Sequence, residues 1–355
     1  MGKTYSRREG GRITAKEIAK LAGVSQSTVS RVFNANWKGS VKPDVKARIL
    51  KIAEENGYTP NTIAHILTSR HSGIVGIMLA QSYQAFYYEV LSFLGSCLSQ
   101  HNMQTMLFLT DPKHRIEDIM TDVVRYQLDG VIITSSAIAH DISQTKMDYG
   151  VPAVLYNGYV PGLHISAVYS DNYSACIQMA DYLAATGHRD IAYISTENSA
   201  YRNYQVRQEA FLYGLSRHGI PSCRIEAADY TYESGYDAAM RLLTERQRPD
   251  AIFCSGDLNA MGAVDAARKL GLTVGKDISI TGFDAPCGME MPSYGITSLH
   301  QDVELLAEDA VRVLMEMIHT PNCSPILVNR PMKLIVRTSS PPLPEGSGEE
   351  AETQA

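Results

Sequence analysis

Two spacings of apolar residues divide this chain. Up to residue 57 the apolar positions repeat as on short helices. Ile18, Ala19, Leu21 and Ala22 give one stripe, Val29, Val32 and Phe33 a second, and Val45, Ile49, Ile52 and Ala53 a third. From residue 74 short β-rich runs alternate with longer helical stretches. The runs are 74–79, 106–109, 131–134, 153–156, 191–195, 251–254 and 278–282. Continuous apolar strands separated by helices predict parallel sheets covered on both faces. The pattern restarts near residue 171, which predicts two similar lobes with crossings near 170, 296 and 329. Such sheets bind ligands beyond the carboxyl ends of their strands, so facing lobes place the site in the cleft between them.

Polar residues punctuate the first helices. Thr14-Ala15-Lys16-Glu17 reads as a capping box. Gly23 suits the turn that ends the first helix, and Ser25 suits the cap of the second. Two short helices joined by a glycine turn form a helix-turn-helix, whose second helix can enter the major groove. There Gln26, Ser27 and Arg31 face outward; Gln pairs with adenine and Arg with guanine. Thr28, Ser30 and Asn34 can contact phosphates, and Thr14, Ser25 and Asn61 are further expected DNA contacts. The third helix starts at Pro43 and ends at Gly57. Asn61 can cap a further two-turn helix, too short to be stable alone.

Charge sharpens this division. Residues 1–71 carry 13 Lys and Arg against 5 Asp and Glu, and the remainder 19 against 33. A basic head on an acidic body implies that only the head approaches a polyanion. No apolar run reaches the roughly 18–20 residues of a membrane helix. The N-terminus does not read as a secretory signal. Six scattered cysteines without a C-x-x-C pair fit a reducing cytoplasm. The segment Gly271–Asp277 imitates a phosphate loop, but it has three residues between its glycines and Asp after Lys276. No cofactor, metal or nucleophile motif is expected.

The ordered motifs Ala22-Gly23-Val24-Ser25, Thr28-Val29-Ser30-Arg31-Val32, Gly57-Tyr58, Pro60-Asn61 and Ala64–Leu67 resemble the headpiece of the lactose/galactose repressor (LacI) family. Asp129-Gly130-Val131-Ile132, Gly187–Ala192, Glu233-Ser234-Gly235-Tyr236, Met261-Gly262-Ala263 and Gly282-Phe283-Asp284 extend the resemblance through the body. It implies an all-α helix-turn-helix head on a two-lobed α/β body resembling periplasmic binding proteins. The implied domains are 12–60 for the head and 61–72 for a hinge helix and linker. One lobe is 73–170 with 297–328, the other 171–296 with 329–338, and 339–355 form a disordered tail. The resemblance also makes Leu67 a wedge in the minor groove; packing between head and body is the other reading.

For the cleft the resemblance points to Phe86, Tyr87, Asn157, Arg207, Tyr230, Asp257 and Asp284. All but Asn157 have a plainer reading. Phe86 and Tyr87 can be core, Arg207 and Asp284 an ion pair, Asp257 a helix cap, and Tyr230 a structural ring rather than a stacking platform. The chain departs from the family at Gln84-Ala85, at Asn157-Gly158 and at Gly256, where asparagine is frequent. The expected protein is a homodimeric regulator, read as a repressor, that binds near-palindromic double-stranded operator DNA and a sugar-like effector. A solute-binding module of transport type and an α/β enzyme are the alternatives.

Overall fold

The computed structural model describes residues 13–33, 39–59, 71–80, 85–110, 116–134, 150–196, 202–285, 293–321, 323–344 and 352–353. It divides into two units, Met1–Ser72 and Gly73–Ala355. In the first, helix α1 (Ala15–Ala22) starts at the expected box. The Glu17 amide donates to Thr14 Oγ1 at 3.3 Å, and the Thr14 amide donates to Glu17 Oε2 at 2.8 Å. Gly23, at φ 66°, ends the helix in the left-handed region. Helices α2 (Gln26–Phe33) and α3 (Pro43–Glu55) follow. Ile18, Ala19, Ala22, Val29 and Ile49 form the core they share. Leu21 is a correction to the predicted stripe: it is exposed. Asn34, Asn61, Leu67 and the expected hinge helix lie outside the described residues.

The body holds two sheets. The first is built from β1 (Ile74–Ala80), β2 (Gln104–Thr110), β3 (Gly130–Thr134), β4 (Ala153–Tyr156), β5 (Ser166–Ser170) and β11 (Leu327–Arg330), ordered β11-β5-β4-β3-β1-β2. All its pairs are parallel. Helices α4 (Ala85–Gln100) and α10 (Val303–His319) contribute Val90, Leu94, Leu306 and Leu314 to the core on one face, with Ile77, Ile132 and Val154. Helix α5 (Ile116–Arg125) contributes Met120 and Val123 to the other, with Met78, Val131 and Ile133. Each such side chain taken from water stabilises the lobe by about 1.5–3 kcal/mol.

The second sheet repeats the plan. Strands β6 (Ile191–Thr196), β7 (Arg224–Ala228), β8 (Ala251–Cys254), β9 (Ser279–Asp284), β10 (Thr297–His300), β12 (Lys333–Val336) and β13 (Glu352–Thr353) lie in the order β13-β12-β10-β9-β8-β6-β7. Among these pairs only β10 with β12 is antiparallel. Helices α6 (Asn172–Ala185) and α7 (Arg202–Arg217) cover one face through Met179, Leu183 and Phe211. Helices α8 (Tyr232–Thr244) and α9 (Asp257–Lys269) cover the other through Leu242 and Val264.

Two boundaries differ from those read in the sequence. Residues 297–300 are expected in the first lobe, yet β10 pairs with β9, Thr297 opposite Thr281. The crossing therefore falls after β10, and the return falls between β11 and β12. Residues 339–343, expected in the disordered tail, are also built into the second lobe. The Thr297 amide donates to Ser339 Oγ at 2.9 Å, the Tyr182 hydroxyl donates to the Pro341 carbonyl at 2.5 Å, and Leu343 packs on the core. Buried polar groups of β10 and α6 need these partners, which orders residues that composition alone marks as loose.

The motif glycines of α8 and α9 have a packing reason. A Cβ on Gly235 would overlap the Asn259 backbone, and one on Gly262 would overlap the Tyr232 carbonyl. The two helices cross backbone to backbone. Gly235→Ala should therefore destabilise the body by about 1–3 kcal/mol in urea unfolding; an unchanged midpoint would show that the helices can separate without cost.

Candidate functional site

The head presents a polar surface on α2. Val29 is fully buried, while Gln26, Ser27, Ser30 and Arg31 are exposed and Thr28 is half-buried. Val29, with Val32 and Phe33 half-buried on the same core, thus anchors the helix while Gln26, Ser27, Ser30 and Arg31 face out, as base reading requires. Thr14 and Ser25, also predicted to touch DNA, serve as caps. Ser25 Oγ accepts from the Thr28 amide at 3.2 Å and lies 2.8 Å from the Ser27 and Thr28 hydroxyls. Both remain exposed, so capping does not hide them.

In the body, polar side chains converge where strands of the second sheet end. Arg207 projects from α7 and is only 4% exposed. Its Nε donates to Asn172 Oδ1 at 2.8 Å and its Nη1 to the Ser255 carbonyl at 3.0 Å. Its Nη2 lies 3.6 Å from Asp284 Oδ1. The guanidinium carbon sits 3.5 Å from the centroid of the Phe283 ring and 5.3 Å from that of Tyr204. Burial, the largest single effect, opposes the charge, but Asp284, Tyr204 and Tyr230 act together against it, and Arg207 is pushed up from its ordinary value. Asp284 ends β9 at φ 99°, in the left-handed region that only a supporting structure maintains in a non-glycine residue. Its Oδ1 accepts from Gln301 Nε2 at 2.5 Å, and its Oδ2 accepts from the Tyr230 hydroxyl.

Of the predicted cleft residues, Arg207, Tyr230, Asp257 and Asp284 come together. Phe86 is buried in the core of the first lobe, and Tyr87 meets it edge to face at 5.4 Å. Asn157 follows β4 at φ 53°, buried. Its carbonyl accepts from Asn203 Nδ2 at 2.7 Å, one turn before Arg207 on α7, which makes a polar link between the lobes. Its Oδ1 and the Oε1 of Gln301 have no hydrogen-bond partner among the described residues.

Asp257 is not a cap: Gly256 holds that position on α9. Its carboxylate instead reaches the end of the sheet. Oδ1 accepts from Ser298 Oγ at 2.8 Å, and Oδ2 accepts from the Ala285 amide at 2.7 Å. A side chain on Gly282 would overlap that carboxylate. Asp257 thereby pins the corner in which Asp284 and Ala285, φ 39°, both adopt left-handed conformations. Burial first and the nearby Asp284 second push its carboxyl up to about 7.

Sequence reasoning passed over Gln301, Asn203, Ser255 and Ser298. Gln301 and Ser298 depend on β10, a strand too polar to stand out. Asn203 had a signal, since it precedes Arg207 by four residues and so shares its helical face. Among the described residues no group of acidic, histidine or cysteine side chains could hold a metal ion. Nor is any of their helices long and apolar enough to cross a membrane.

Comparison with known proteins joins these sites. The profile of bacterial regulatory proteins of the lacI family matches residues 14–61, and that of the periplasmic binding protein-like domain matches residues 180–340. The HTH-type transcriptional repressor PurR of Yersinia pestis is 30% identical over 331 residues, covering 92% of this chain and 96% of its own. Catabolite control protein A of Priestia megaterium is 28% identical, covering 92% and 99%. Among solved structures, the lac repressor dimer bound to operator and an anti-inducer matches with a TM-score of 0.80 at 24% identity, covering 94% of this chain and 100% of that one. A complex of the transcriptional regulator CelR with cellobiose matches with a TM-score of 0.69 at 27% identity, covering 92% and 100%.

The raised Asp257 carboxyl makes a pH prediction. The folded state holds a proton that the unfolded chain releases near 3.8, so this stabilisation is full at lower pH and is lost as pH rises through about 7. Asp257→Asn removes that titration. Its urea midpoint relative to the native chain should rise between about pH 5 and about pH 8; a pH-independent difference would mean that Asp257 is ionised throughout.

Proposed function

This chain belongs to the LacI family of bacterial regulatory proteins, DNA-binding regulators rather than enzymes, and from that premise we propose that it is a repressor that grips a near-palindromic operator as a homodimer. The single observation that carries the DNA reading is α2, with Val29 buried and Gln26, Ser27 and Arg31 outward. Gln26 and Arg31 read base edges, and Thr14, Ser25, Thr28, Ser30 and Asn34 contact the backbone. Asn61 starts the hinge helix, and Leu67 wedges into the minor groove.

Self-association is supported by the outer edge of the first sheet. Strand β2 exposes Leu107 at 45% and Leu109 at 55%, an apolar edge that a second copy would cover. Two heads so paired meet two half-sites related by the same two-fold axis.

The effector reading rests on the buried cluster at the end of the second sheet. Arg207 and Asp284 supply a guanidinium fork and a carboxylate to a small hydroxylated ligand of sugar type. Asn157 and Tyr230 complete its surroundings, and Asp257 braces the Asp284 corner; Phe86 and Tyr87 pack in the core of the first lobe and carry no part of this reading. The similar regulator CelR, solved in complex with cellobiose, fits this class. The cluster also touches the connections between lobes. Arg207 binds Asn172, just after the first crossing, and Asp284 binds Gln301, at the second. A ligand that repositions this pair shifts the lobes, and with them the hinge segments that order on DNA, a coupling of about 1–3 kcal/mol.

Arg31→Ala should weaken operator binding by about 1–3 kcal/mol and relax selectivity at one base pair. Footprinting at fixed salt checks this, and an unchanged footprint would remove Arg31 from base reading. For the effector, full-length protein is screened by thermal shift with sugars, sugar acids and nucleosides. A hit should alter operator affinity in the native chain and leave it unaltered in Asp284→Ala. A retained response in that variant would place the effector elsewhere.

A further inference from the structure

The polar groups offered to a ligand are already occupied by the chain itself. The Asp284 carboxylate accepts from the Tyr230 hydroxyl on one oxygen and from Gln301 on the other, with Arg207 alongside. Tyr230 comes from the turn after β7, and its ring lies half-buried beside Tyr204, centroids 6.3 Å apart. Its arrival depends on one residue. A Cβ at position 256 would overlap ring carbons and the hydroxyl of Tyr230 together. Gly256 has φ −163° and ψ 156°, an extended conformation open to any residue, so backbone freedom does not explain the glycine. Space for the phenol does.

We propose that Tyr230, admitted by Gly256, is a built-in occupant of the Asp284 carboxylate, and that an effector hydroxyl takes this place by displacing the phenol. The inference rests on the sugar-type reading of the site given above and specifies how that site selects. A phenol O–H on a carboxylate presents the same donor as a sugar hydroxyl, so Tyr230 keeps the buried charge paired. The ligand then exchanges one hydrogen bond for another instead of gaining one. Only a ligand that also reaches the unpartnered buried acceptors, Asn157 Oδ1 and Gln301 Oε1, gains net hydrogen bonding. The class selected is therefore a polyhydroxylated molecule with at least two further donors, in preference to a mono-hydroxylated or purely anionic one. A site self-occupied for about 90–99% of the time binds about 10–100-fold more weakly than the same site opened.

The test measures binding of D-ribose, D-cellobiose, D-gluconate and adenosine to the full chain by calorimetry. The native protein is compared with Tyr230→Phe and Gly256→Ala, each checked for fold by circular dichroism. Tyr230→Phe keeps the ring and removes its hold on Asp284. Gly256→Ala pushes the ring away through a different atom. The proposal expects the probe that binds to tighten about tenfold or more in Tyr230→Phe, and in the same direction in Gly256→Ala. Native binding that weakens or stays unchanged in Tyr230→Phe would make the phenol a fixed wall and overturn the proposal, with the ligand reading intact. If no probe binds any of the three proteins, both fail. Should Gly256→Ala not fold, Tyr230→Phe alone decides.

Discussion

A guanidinium and a carboxylate buried side by side at the end of one sheet set the terms for the body of this protein. Water no longer solvates Arg207, so each of its donors needs a partner within the fold. Asn172, Ser255 and Asp284 provide them, and the ring of Phe283 lies against its face. Asp284 in turn draws on Tyr230 and Gln301. Breaking such a pair leaves a bare buried charge, at a cost of about 3–5 kcal/mol. The arrangement is therefore stiff, and its partners come from five different segments of chain. Two of them, Asn172 and Gln301, stand at the connections through which the lobes are joined. Chemistry at the site and geometry at the lobe connections are one hydrogen-bonded system.

The head obeys a different constraint. Helices α1 and α2 have eight residues each, too few to persist alone in water. Their caps and a small shared core hold them. This leaves Gln26, Ser27, Ser30 and Arg31 exposed on the outward side of α2. Its side chains, and the net positive charge of the segment, are available for a polyanion while the acidic body repels one.

Much of this was legible because the signals are local. The Thr14–Glu17 box, Gly23 and Ser25 act within a few residues of themselves, and each appears where its chemistry places it. The strands β1, β3, β4 and β8 are buried on both faces, so their apolar runs are unbroken. Strands β5, β7, β10, β11 and β12 left weaker traces. β7 and β11 are partly exposed, and β10 is buried with polar residues whose hydrogen bonds are made by distant chain, Ser298 to Asp257 and Thr297 to Ser339. The cleft shows the same division. Arg207 and Asp284 were legible as a possible pair. The roles of Asp257 and Gly256 were not, because each depends on an atom more than twenty residues away.

By itself, then, the sequence determined the order and type of the main elements, a basic three-helix head and a doubled α/β body, through periodicity, caps and charge that act at short range. Tertiary structure alone decided that Asp257 braces the Asp284 corner, that Tyr230 rests against Gly256 with its hydroxyl on Asp284, and that residues 339–343 belong to the second lobe. The physical reason is that a buried polar atom takes whichever partner the packed chain brings within about 3 Å, and hydrophobic patterning carries no record of which one that will be.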